Sequence, residues 1–215
     1  SSAEPLLVDL DNEMPGIAWD LLPMDRYRAH NWHSFDDIHN RSPYAAIHTS
    51  LGCPYKCHFC CINSPFGKSN YRMWSPAVVV KEIDYLVENY GIKNLKFVDE
   101  MFVLNKHHVL GICDLLIERE YEVNIWAYAR VDSVQDQFLD KLKAAGVNWL
   151  CLGIESASDH VRDGADKIYD NDDIKDVVRR IQEAGINIIA NYIFGLPDDS
   201  LERMQQTFDL ALELN

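Results

Sequence analysis

Five short apolar runs, each followed by a longer segment with apolar residues at helical spacing, constrain the fold of this 215-residue chain more than any other feature. Strands are predicted over 45–49, 95–98, 123–128, 149–153 and 187–194. Between them Val80, Ile83, Val87 and Tyr90, then Val109, Ile112 and Leu116, then Phe138 and Leu142, then Ile174, Val177, Val178 and Ile181 follow the period of one helix face. A last helix carries Leu201, Met204, Phe208 and Leu212. Ser75 ahead of Pro76 reads as a helix start, and Gly91, Gly146 and Gly185 as helix ends, because a left-handed residue costs glycine least. Strand and helix in alternation imply an α/β fold with a parallel sheet, either doubly wound or rolled into a barrel. In both, reactive residues lie just past the C-terminal ends of the strands. Those positions hold residues 48–61, Asp99 and Glu100, Arg130 and Asp132, Glu155 and Ser156, and residues 195–198.

Ahead of these units, residues 1–43 show weak periodicity, many turn formers (Pro5, Pro15, Gly16, Pro23, Pro43) and a polar, His-rich stretch over 30–39, and are read as a lead-in to a core at 44–215. Charge then limits the partners. With 20 Lys and Arg against 34 Asp and Glu, the net charge of −14 repels phosphate backbones and anionic lipid, so neither nucleic acid nor a membrane is expected as a direct partner. No apolar run approaches the ~20 residues of a membrane helix, and the first residues lack the basic and apolar regions of a secretory signal, which places the chain in the cytoplasm.

Cysteine usage sharpens the reading. Of six cysteines, Cys53, Cys57, Cys60 and Cys61 lie within nine residues, whereas Cys113 and Cys151 stand alone and read as small buried residues. That is a ligand cluster, since a disulfide framework spreads its cysteines. Cys53, Cys57 and Cys60 form C-x3-C-x2-C on the loop after the first strand, and clustered thiolates want a soft metal. A closed zinc site takes four ligands, and no second pair completes one here. An iron–sulfur cubane held by three cysteines, with its fourth iron open, fits better; a zinc-binding or non-catalytic iron–sulfur module is the alternative.

This motif, with Phe59 just before the third cysteine, resembles the signature of radical S-adenosylmethionine (SAM) enzymes, and the resemblance runs from Tyr44 onward. It implies a partial (β/α) barrel. It also implies that Cys53, Cys57 and Cys60 hold a [4Fe–4S] cluster whose open iron binds SAM, and that an external flavodoxin- or ferredoxin-like donor supplies the electron that cleaves SAM to a 5′-deoxyadenosyl radical. By the same resemblance the Phe59 backbone lies against the adenine, and Asp99 or Glu100 meets the SAM ammonium, the usual Gly-Gly before the acid being absent. Glu155 contacts the ribose or methionine portion. Asn191 to Asp198 resembles the adenine-binding fifth strand, in which Asn191 and Asp198 depart from the pattern and Ile193 and Gly195 keep it. Arg130 suits a SAM carboxylate, or else pairs with Asp132 or Glu155.

Residues 41–75 contain no acid and carry +4, in a chain of −14, so a positive field surrounds the cysteines and favours thiolates and a reduced cluster. Outside the motif, Trp74, Trp126 and Trp149 are read as core, Cys61 as packing, His48 as an inward-facing or packing histidine, and His107–His108 as a solvated pair. Residues 18–27 resemble the tether that joins a cobalamin-binding domain to such a barrel. Cobalamin is therefore expected as a further cofactor, with a cobalamin domain ahead of Ser1, a sixth β/α unit after Asn215, and methyl transfer to a small-molecule or peptide substrate. A radical SAM enzyme without cobalamin is the alternative.

Overall fold

The computed structural model describes residues 7–14, 16–35, 37–64 and 68–215; Pro5 and Pro15 of the lead-in lie outside the described residues. A one-turn helix, α1 (Leu10–Glu13), and three 3-10 turns lead into β1 (Tyr44–Ile47), then a ribbon of β2 (Ser50–Leu51) and β3 (Arg72–Met73). There follow α2 (Pro76–Tyr90), β4 (Asn94–Phe97), α3 (Lys106–Arg119), β5 (Asn124–Ala129), α4 (Asp136–Ala144), β6 (Val147–Glu155), α5 (Asp159–Gly164), α6 (Asn171–Glu183), β7 (Asn187–Tyr192) and α7 (Leu201–Glu213).

β1, β4, β5, β6 and β7 pair in parallel in chain order. Because the order never reverses, the sheet is the barrel type; a doubly wound sheet turns back at a switch point. Strand alternation explains its two faces. Leu95, Phe97, Ile125, Ala127, Leu150 and Leu152 point to the helices, where Ile83, Ile112, Phe138, Leu142, Ile174 and Ile181 complete the main core. Each such side chain contributes roughly 1.5–3 kcal/mol on burial. The opposite face carries a separate cluster of Trp126, Trp149 and Cys151, so these tryptophans are buried as expected but on the inner face of the sheet, away from the helices.

Local chemistry sets the helix ends. Ser75 accepts from the Val78 amide to start α2, and Gly91, in the left-handed region, ends it. The predicted apolar stripe of α7 is a correction: Leu201, Phe208 and Leu212 are exposed, and the helix buries Thr207 and Leu210 instead. β7 is an edge strand, so one flank of α7 has no neighbouring strand to cover. Along the lead-in, Trp19 and Met24 join the main core. His33 bonds the Asn124 carbonyl at 3.0 Å while the Asn124 amide donates to the His33 carbonyl at 2.8 Å. Burial lowers the His33 pKa to about 4, with Asn124 working against the shift, so the ring is neutral at the N-terminal end of the sheet.

Candidate functional site

The ribbon of β2 and β3 is the stem from which the cysteine loop, described over residues 52–64 and 68–71, projects at the C-terminal end of the sheet. Two carboxylates just beyond β4 pin this stem. Asp99 is fully buried and accepts from the Thr49 amide at 2.6 Å, the Thr49 hydroxyl at 2.5 Å and the Ser50 hydroxyl at 2.7 Å. Burial raises its pKa against the lowering by these bonds. Glu100 is half-buried and accepts from the Gly52 amide at 2.9 Å. Asp99 thus has both oxygens occupied inside the fold, and the accessible carboxylate at this strand end belongs to Glu100. His108, expected to be solvated with His107, is buried and meets the Thr49 hydroxyl at 2.9 Å; burial lowers its pKa to about 4. The first turn of α3 points it back at the end of β1, while His107 stays exposed.

Gly52 opens the loop at φ +82°, and a Cβ there would lie 2.4 Å from the Asn70 carbonyl oxygen. Only glycine fits this backbone and this gap. Gly52→Ala is expected to lower stability by more than about 1 kcal/mol, read as a fall in melting temperature, because both the torsion and the contact are unfavourable. An unchanged melting temperature would show that the stem is looser than described.

Beyond the stem, Cys53 and Cys57 are half-buried, Cys60 is exposed, and all three thiols are free. Burial raises the Cys53 pKa, helped by the proximity of Cys57 and Cys60 and opposed by a bond from the Tyr55 backbone and by Arg130. Arg130 is buried just past β5. Its guanidinium donates to Cys57 Sγ at 3.3 Å, stacks 3.8 Å from the Tyr55 ring centroid, and grips Asp132 through two bonds at 2.8 and 2.9 Å. Burial works against the Arg130 charge, but Asp132 and Cys57 more than offset it and the pKa rises. Of the partners weighed for Arg130, Asp132 is the one present. Lys56 and Lys68, from the acid-free stretch, line one pocket with Cys57 and Cys60. Cys61, read as packing, is exposed, as is His48. Phe59 is 40% exposed.

Glu155 ends β6 at φ +68° and pairs with Lys167, both buried, and Lys167 also donates to the Gly153 carbonyl at 2.7 Å. This pair folds back over Gly153, where a Cβ would meet Glu155 Oε1 at 2.5 Å. The Glu155 carbonyl accepts from the Ile193 amide at 2.8 Å, joining the ends of β6 and β7. Ile193 packs with Val161, Ala165 and Leu196, and Gly195, at φ +82°, donates to Asp199 at 2.9 Å. His58 bonds the Gly164 carbonyl at 2.6 Å, tying the cysteine loop to the α5 segment. Sequence reasoning missed Lys167. Its one signal is a lone lysine in the strongly acidic run after β6.

Among the described residues no three His, Cys, Asp or Glu side chains converge as ligands of a single metal ion. The donor chemistry suits a larger centre: three uncommitted thiols on one loop, beside a guanidinium and two lysines, and a cubane asks each thiolate to bind a different iron.

A family profile described as Radical SAM superfamily matches residues 47–211. An uncharacterized methyltransferase of Pyrococcus horikoshii is 31% identical over 211 residues, covering 98% of this chain and 43% of the relative. Among solved structures, the radical S-adenosylmethionine methyltransferase TsrM from Kitasatospora setae, with cobalamin and a [4Fe–4S] cluster bound, superimposes with a TM-score of 0.73 at 24% identity, over 82% of this chain and 33% of that one. The cobalamin-dependent S-adenosylmethionine radical enzyme OxsB, with aqua-cobalamin and S-adenosylmethionine bound, gives 0.69 at 20%, over 85% and 29%. These two likenesses show the fold. The chain spans less than half the length of each protein compared.

Proposed function

This chain belongs to the radical SAM superfamily, and from that premise we propose that residues 44–215 are the catalytic core of a cobalamin-dependent radical SAM methyltransferase, with residues 1–43 its tether. The observation that carries the reading is the cysteine loop, which holds three free thiols at the C-terminal end of a parallel sheet, with the buried Arg130 donating to Cys57. Cys53, Cys57 and Cys60 hold the [4Fe–4S] cluster. When bound, that cluster supplies the electron that cleaves SAM to methionine and a 5′-deoxyadenosyl radical.

The chain's own residues prepare the site. Asp99 and Glu100 fix the loop stem, and Arg130, held by Asp132, sets a positive charge against Cys57. Glu100 receives the SAM ammonium, Glu155 with Lys167 the ribose or methionine portion, and the Phe59 backbone, Ile193 and Gly195 the adenine. An external flavodoxin- or ferredoxin-like protein delivers the electron in the cytoplasm. Methyl transfer and cobalamin are supported by the methyltransferase names of relatives and by the two cobalamin-binding structures of like fold. Among the described residues no helix is long and apolar enough to cross a membrane.

Calorimetric titration of SAM into anaerobically reconstituted protein tests the site. Glu155→Gln is expected to keep the cluster absorbance and lose roughly 1.5–3 kcal/mol of SAM affinity, the value of one charge-assisted hydrogen bond. Unchanged affinity would remove Glu155 from the site. For cobalamin, protein produced from the intact gene is expected to purify with a corrinoid spectrum. Cluster bands alone would leave a radical SAM enzyme without cobalamin.

A further inference from the structure

On the inner face of the sheet, Lys96 has no carboxylate partner among the described residues. Lys96, inside β4, pairs in register with Trp126 of β5, which pairs in turn with Trp149 of β6. Its ammonium lies 4.3 Å from the Trp126 ring centroid and 5.7 Å from that of Tyr128. An aromatic face attracts a cation but accepts none of the three N–H bonds of an ammonium. Among the described residues no carboxylate pairs with Lys96, in contrast to Lys167, which has Glu155.

The neighbours share this bias toward donors. Trp126 is 3% exposed, and its indole N–H is buried without a hydrogen-bond partner. A buried donor left unpaired is costly, and none of the described residues supplies it with an acceptor. Cys151, next in the row, receives a bond from the Asn191 amide at 2.8 Å, and burial pushes its thiol up to about 11, so it stays uncharged. Burial lowers the Lys96 pKa, with Cys151 acting the other way. In a chain of net charge −14, this is a cationic, aromatic-walled spot with no anion among the described residues.

Depth separates it from the cofactor site. Glu100, Arg130 and the cysteine loop lie past the strand ends and Glu155 is the last residue of β6, whereas Lys96 sits three residues before Asp99, about 10 Å down the strand at ~3.3 Å per residue. We infer that Lys96 anchors a carboxylate of the substrate on the inner face of the sheet, which makes the substrate an organic acid with an apolar or aromatic body. The inference rests on the proposed function only in calling the anchored molecule a substrate.

Benzoate is the probe, with neutral benzamide as its isostere, titrated by calorimetry into the anaerobically reconstituted chain. Benzoate is expected to bind at least tenfold more tightly than benzamide. That preference should vanish in Lys96→Met, survive in Lys96→Arg, and survive in Lys93→Met, which alters an exposed lysine just before β4. Cluster absorbance and SAM affinity should be unchanged in Lys96→Met. Equal binding of the two probes, absence of binding, or a preference indifferent to Lys96→Met would overturn the carboxylate anchor. Failure of the wild-type chain to take up a cluster or bind SAM would instead defeat the proposed function, whatever benzoate does.

Discussion

Cys57→Ala protein, reconstituted anaerobically with iron and sulfide, is expected to hold neither above background, where the wild type holds ~four of each in the cubane type. Cys57 is the middle cysteine of the motif and the one that Arg130 touches. Removing it leaves two of the motif's three thiols for a centre that needs three. Cys61, one residue beyond the motif, is exposed and free, so Cys61→Ala should bind the full complement. Elemental analysis and the visible spectrum read both variants. Iron and sulfide retained by Cys57→Ala, or lost by Cys61→Ala, would assign the ligands differently.

The second large effect falls on stability. Lys167→Met should destabilise the chain by about 3–5 kcal/mol, because it strands the buried Glu155 carboxylate without its cation. Lys167→Met combined with Glu155→Gln should recover much of that loss, since no charge is then left buried unpaired. Denaturant midpoints of the two variants check this. A loss below about 1 kcal/mol for Lys167→Met would match an exposed pair rather than a buried one.

The sequence carried the frame well for a physical reason. Strand and helix periods are properties of local side-chain spacing, so all five parallel strands and the helices after them were legible, as were the Ser75 cap and the left-handed Gly91. The barrel type was legible only through the resemblance that the cysteine motif carries and not in the periodicity, because strand order is a long-range property. Within the site, the cysteine motif was legible because its spacing is local. What Asp99, His108 and Lys167 do was not: each acts on a partner 12 to 59 residues away, Asp99 on Thr49, His108 on Thr49, Lys167 on Glu155. The α7 stripe misled because its apolar period is real but faces the uncovered edge of the sheet.

The most direct test is to reduce the anaerobically reconstituted 215-residue chain with dithionite in the presence of SAM and quantify 5′-deoxyadenosine by chromatography. Formation of 5′-deoxyadenosine and methionine in equal amounts, dependent on reductant and absent in Cys57→Ala, is the expected result. Zinc bound in place of iron and sulfide, with SAM recovered intact, would contradict it and leave a structural metal-binding loop.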